Sequence, residues 1–295
     1  MSATLDTLES DRSPHVVTYT AAGPIRATDP RHVPAFWRLA RDMWASRDLI
    51  VRLVRRDVQS RYRQFFLGPL WVVLQPAITI SVFLVMNNTG VLNVGAVPVP
   101  YPLFALVGIT IWQLFVSGVT QGMGSLASAG PLLIKLNVSK AALVVAALGT
   151  ALVDFAVRIG VIVLLYAIYQ LHPSLNGLLA IPALLPLLVL TVTLALILAL
   201  MGVFVRDITG LVPTALALFV FLMPIYYETP ASRAFAQFNK WNPLYHLVCG
   251  PRDLLLRGEL AYPAGFALST LGAVLLFVFS ARLFLAAQYK IAERA

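Results

Sequence analysis

One cysteine, four histidines and 13 acidic residues in a chain of 295 leave little material for redox, metal or acid–base chemistry. Cys249 stands alone, so no disulfide can form within the chain. His15, His32, His172 and His246 fall at no ligand spacing, so no metal site is expected. Charged residues make up only 12%, about half the share needed to cover a water-soluble domain. No Gly-Lys dipeptide occurs, which excludes the G-x-x-x-x-G-K-[ST] loop that cradles nucleotide phosphates. The first forty-odd residues are polar and carry no short apolar core, so no cleavable signal peptide is expected.

What is present is apolar: 59% hydrophobic residues and a mean hydropathy of +0.81. Several runs reach the ~20 residues that cross a bilayer as a helix, and none alternates with the period of a strand. The sequence predicts an all-α integral membrane protein with six spans, at 67–86, 101–119, 141–169, 181–204, 211–227 and 264–285. Residues 1–45 are expected to be a partly disordered cytosolic extension, 46–66 an amphipathic helix, and 286–295 a cytosolic tail. Pro213 and Pro224 predict a broken or tilted fifth span.

Basic residues set the direction. Eleven arginines precede the first span. With the N-terminus in the cytosol, the inner segments hold 17 Lys and Arg and the outer segments four, so both termini are expected inside. Clustering of charge beside a membrane entry point fits topology and anionic lipid, not nucleic acid.

Within 48–65, Ile50, Val54, Val58, Tyr62 and Phe65 recur at helical spacing, and Arg52, Arg55, Arg56, Gln59 and Arg63 take the other side. Asp48 with Arg52, and Asp57 with Arg61, stand four apart in the favourable order. Such a helix is expected to lie in the membrane plane. Its arginines either fix orientation or bind an anionic headgroup, with Arg55, Arg56, Arg61 and Arg63 the candidates.

Four stretches carry a resemblance. "RDLIVRLVRRDVQSRYRQFFLGPLWVVLQP", "PYPLFALVGITIWQLF", "VRDITGLVP" and "KWNPLYHLVCGPRDLLLRG" occur in an order that resembles type-2 ABC transporter permeases exporting polysaccharides: O-antigen, capsule and teichoic acid. The likeness runs from about Phe36 to Leu285. Phe65 stands where the family commonly has a small Ser or Thr, and Ser139-Lys140 where it often has Pro-Arg. The resemblance implies a homodimer bound to two copies of a separate nucleotide-binding subunit that holds ATP and Mg, so this chain needs no cofactor and is no enzyme. It implies a bacterial cytoplasmic (inner) membrane location and a lipid-linked glycan as cargo. It also implies that Leu132, Leu133, Ile134, Lys135, Leu136 and Asn137, after the Gly130-Pro131 break, couple to the ATPase subunit. The other reading of these residues is the frayed start of the third span.

Asp154 and Arg158 lie inside the third span, where each alone would cost about 2.5–3.5 kcal/mol. Four-residue spacing predicts that they pair. They either satisfy each other or line a wet path or proton relay, which would make a proton-coupled secondary transporter the rival class. The outer segment 228–262 is rich in aromatics and is expected to form short re-entrant helices. Trp71, Gln75, Tyr226, Tyr227 and Trp241 are candidate conduit or glycan contacts, with an interfacial aromatic belt as the plainer alternative. Gly118 and Gly122 form a G-x-x-x-G expected to permit close helix packing. A membrane glycosyl- or acyltransferase is the weakest reading, because the acids are dispersed.

Overall fold

The computed structural model describes residues 16–20, 23–27, 35–64, 70–90, 95, 97–128, 140–172, 174–228 and 233–292. A two-stranded antiparallel hairpin, β1 (Val16–Thr20) and β2 (Gly23–Ala27), pairs Val16 with Ala27 and Thr20 with Gly23. All else described as regular structure is helical. The helices are α1 (Ala35–Ala45), α2 (Arg47–Gln64), α3 (Leu70–Asn88), α4 (Tyr101–Ser128) and α5 (Lys140–Ile168). A 3-10 turn (Leu175–Leu179) and α6 (Ala180–Ala183) lead into α7 (Leu185–Phe204). Then come α8 (Ile208–Phe219) with a 3-10 extension (Val220–Leu222), α9 (Arg233–Trp241), α10 (Pro243–Arg257) and α11 (Pro263–Ala292).

From α2 onward the described chain is helical, as expected of an all-α protein. The extension 1–45 departs from that expectation, because it holds the hairpin as well as α1. Alternation of Val16, Thr18 and Thr20 against Val17 and Tyr19 is a local β signal too short to stand out beside the long apolar runs.

Four of the helical stretches are long and apolar enough to cross a membrane: Tyr101–Ser128, Lys140–Ile168, Leu175–Phe204 and Pro263–Ala286. The regions expected as first and fifth spans form shorter apolar helices, Val73–Met86 and Ile208–Leu222. Pro76 lies inside α3 and Pro213 inside α8. The fifth stretch was expected to run to 227, but its helix ends in the 3-10 turn at Leu222, and a non-helical segment, 223–228, follows.

At the centre stands α4. In its most apolar window 78% of residues are buried, against 17% for α5 and 22% for α11. Trp112, Phe104, Phe115 and Leu103 fill the core along it. Two small residues make this crowding possible. A Cβ on Gly118 would meet Thr191 Cγ2 at 2.5 Å and Leu148 Cδ1 at 2.6 Å, and one on Gly122 would meet Ala195 Cβ at 2.6 Å. The G-x-x-x-G therefore packs α4 against both α5 and α7, as small residues do between membrane helices. We expect Gly118→Leu to destabilise the protein by about 1–3 kcal/mol through overpacking, read as a lower unfolding temperature in detergent. Gly124→Ala, with open space at its Cβ, should leave that temperature unchanged.

Candidate functional site

The polar chemistry of the chain collects at two levels. At the first, α2 is fastened to the bundle. Gly149 of α5 lets Val54 of α2 come so close that an added Cβ would meet Val54 Cγ2 at 2.5 Å. Further along α2, Arg61 Nη1 donates to Asp154 Oδ2 at 2.9 Å and Nη2 to Gln121 Oε1 at 2.9 Å. Thr150 Oγ1 also donates to Gln121 Oε1. Three helices, α2, α4 and α5, thus meet on one guanidinium. Beside it lies a cavity of about 510 Å³ whose lining includes Arg56, Asp57, Arg61, Ser125 and Ser128.

This geometry revises the expected pairings. Asp57 takes Arg56, at 2.8 Å, and the guanidinium of Arg61 goes to Asp154. Asp48 takes Arg47 at 3.8 Å where Arg52 was expected. Spacing along a helix ranks neighbours within it, and a carboxylate on another helix outcompetes them when burial strengthens the pair. Asp154, read as the partner of Arg158, receives Arg61 from 93 residues upstream. Arg158 is buried and within electrostatic range of Tyr226.

Of the remaining headgroup candidates, Arg55 and Arg56 are exposed on α2. The side chain of Arg63 lies outside the described residues, as do Leu132, Leu133, Ile134, Lys135, Leu136 and Asn137 in full. Trp71 and Gln75 sit exposed on one face of α3, and Trp241 is exposed at the end of α9. Tyr226 is buried and stacked on Phe83 at 4.3 Å. Tyr227 is half-buried and donates to Phe221 O at 3.0 Å.

The second level went unseen in the sequence. Arg252 and Asp253 were counted as outer-segment charges, but their side chains are only 3% and 8% exposed. Arg252 donates through Nε and Nη2 to Asp253 Oδ1 at 3.1 and 3.0 Å, and through Nη1 to Pro224 O at 2.5 Å, with its guanidinium over the Phe104 ring at 4.7 Å. Tyr101 Oη donates to Tyr226 O at 3.0 Å, and Arg257 Nη2 to Glu228 Oε1 at 2.5 Å. The non-helical segment 223–228 is thereby held from both sides. The signal was available: Arg252-Asp253 is flanked by "LVCGP" and "LLL", too apolar for a solvated pair.

The family model described as ABC-2 type transporter matches residues 48–256, most of the chain. The protein belongs to the ABC-2 type transporter family and is a multi-pass membrane protein. A curated relative from Myxococcus xanthus, O-antigen export system permease protein RfbA, is 29% identical over 191 residues, covering 64% of this chain and 72% of the relative. Two proteins of the same name from Klebsiella pneumoniae are 26% identical over 249 residues (83% and 94% covered) and 25% identical over 235 residues (76% and 89% covered).

Three tests follow from the geometry. In a double-mutant cycle, Arg61→Gln and Asp154→Asn should show a coupling energy of about 1–2 kcal/mol by chemical denaturation in detergent, and a value near zero would dissolve the pair. Arg252→Ala, which leaves Asp253 buried and uncompensated, should cost about 3–5 kcal/mol. Tyr101→Phe, which removes one neutral hydrogen bond, should cost about 1 kcal/mol in the same assay.

Proposed function

We propose that this chain is the membrane-spanning permease subunit of an ABC exporter that moves a lipid-linked polysaccharide, of O-antigen, capsule or teichoic-acid type, out across the cytoplasmic membrane. The observation that carries this reading is family membership together with three relatives named for O-antigen export, one of them aligned over 83% of the chain. Two copies of the chain form the conduit, and two copies of a separate ATP-binding subunit supply the work. That division of labour agrees with a sequence in which no Gly-Lys dipeptide provides a phosphate loop. Both termini lie in the cytosol, by the distribution of Lys and Arg.

The faces left uncovered suit a dimeric conduit. On α3, Trp71, Gln75, Ile78, Val82 and Val85 share one exposed face, and α8 has no fully buried residue among Ile208–Phe219. A groove of about 830 Å³ runs along α8 past Arg206, Gly210, Thr214 and Leu218. The glycan passes between these helices of the two protomers and leaves beside α9 and α10. Its anionic headgroup is engaged by Arg55, Arg56 and Arg63, while Arg61 is held by Asp154 and Gln121. The segment 132–137 docks on the ATP-binding subunit, and its motion reaches the bundle through α2. A proton relay through Asp154 is disfavoured by the ion pair that carboxylate already makes.

Purification from mild detergent should bring down, in equal number, a subunit carrying a phosphate-cradling loop, and the complex should hydrolyse ATP. A lone dimer without an ATPase would sink the exporter reading. In that complex, Arg55→Gln with Arg56→Gln and Arg63→Gln should lower export about tenfold or more with assembly intact. Unchanged export would remove the headgroup role.

A further inference from the structure

The helix expected to lie in the membrane plane was α2. Part of its apolar face meets the bundle: Val54 is wedged against Gly149 of α5, and Ile50 and Val58 are half-buried. The helix that turns large aromatic side chains outward is α1. Trp37, Ala40, Arg41 and Trp44 stand at i, i+3, i+4 and i+7, one face of a helix, and all four are exposed, Trp37 by 60% and Trp44 by 72%. The two indoles supply the apolar area of that face, and Ala40 between them adds no polar group. On its flank the helix is anchored. Met43 packs on the cluster that holds Ala281 and Phe284 of α11 and Leu53 of α2.

That anchorage fixes the level of α1. Ala281 and Phe284 lie close to where the last apolar run gives way in the sequence to Gln288 and Lys290, so α1 is docked near the level at which that span leaves the hydrocarbon. Tryptophan is enriched at this boundary, because its ring is amphipathic. The neighbouring charge has the complementary sign for an anionic leaflet: Arg41 and Arg47 are exposed, and the Arg47 guanidinium lies 5.3 Å over the Trp44 ring. The family model begins at residue 48, so α1 lies outside the matched region.

We propose that α1 is a membrane-surface anchor, with Trp37 and Trp44 seated in the interfacial layer of the bilayer, Ala40 between them at the same depth, and Arg41 and Arg47 on anionic lipid headgroups. An amphipathic helix with tryptophan on one face and arginine beside it binds in this way, and more strongly as the share of anionic lipid rises. Placement in the cytosolic leaflet rests on the orientation given above; binding to a bilayer surface does not.

The test uses the full chain reconstituted in vesicles of zwitterionic and anionic phospholipid. Nitroxide is attached to Trp37→Cys, Ala40→Cys, Trp44→Cys and, as a water-facing control, Gln59→Cys, one at a time. The Ala40 site keeps both tryptophans in place, so it reports depth with the proposed anchor intact. Cys249 is buried, and the unsubstituted chain, which should take up no label, controls for it. Collision with oxygen, which partitions into lipid, should dominate at 37, 40 and 44, and collision with a water-soluble nickel chelate at 59. Arg41→Gln with Arg47→Gln should then lower the oxygen-to-nickel ratio at 40 several-fold in anionic vesicles and change it little in purely zwitterionic ones. Nickel collisions dominating at 37, 40 and 44 would overturn the anchor, and exclusion of both agents would overturn it in favour of a covering protein. Neither readout needs transport, so failure here is separable from failure of the exporter reading.

Discussion

Gly118 and Gly122 set how near α4 can come to its neighbours, and most of what the chain does with its apolar residues follows from that spacing. Lipid tails are as apolar as leucine, so burial gives no drive for helices to associate inside a bilayer, and close packing has to supply it. With Thr191, Leu148 and Ala195 pressed onto bare backbone, α4 becomes the one span enclosed on most sides. The spans around it keep an outer face for lipid or for a second copy. A bundle built around one crowded helix is stiff at the centre and has uncovered faces at the periphery, where α3 and α8 lie.

Polar contacts then attach the elements that cannot be held by packing alone. Arg61 ties α2 to α4 and α5 at one point, and the Val54–Gly149 approach ties it at another. Two attachments along one helix resist both sliding and rotation. A helix fastened in this way moves with α4 and α5 and not as a loose surface element. Arg252 does the equivalent work for 223–228, where the backbone leaves the helical pattern and its carbonyls need donors from elsewhere.

Four spans were legible in the sequence because each is long and apolar, while the stretches expected as the first and fifth form shorter apolar helices, with Pro213 inside the fifth. The close-packing glycines were legible as well, since G-x-x-x-G on an apolar helix has one common use. Pairings were not. A periodic pattern reports which residues share a face of their own helix and is silent on what faces them, so Asp57 was given to Arg61 and the reach of Arg61 to Asp154 went unseen. The same limit hid the approach of Val54 on α2 to Gly149 of α5. Arg252-Asp253 was missed for a different reason. The segment was treated as an outer loop, and charges there pass as solvated until the apolar residues on both sides are weighed.

The grip of Arg252 on the Pro224 carbonyl has a consequence for how the chain is made. Pro224 is synthesised 28 residues before the arginine that satisfies its carbonyl. Until α10 has emerged and folded back, the far end of the fifth apolar segment carries an unmet backbone acceptor in a setting where water is scarce. That segment cannot settle as an independent unit on insertion. Its final position waits for the part of the chain that follows it.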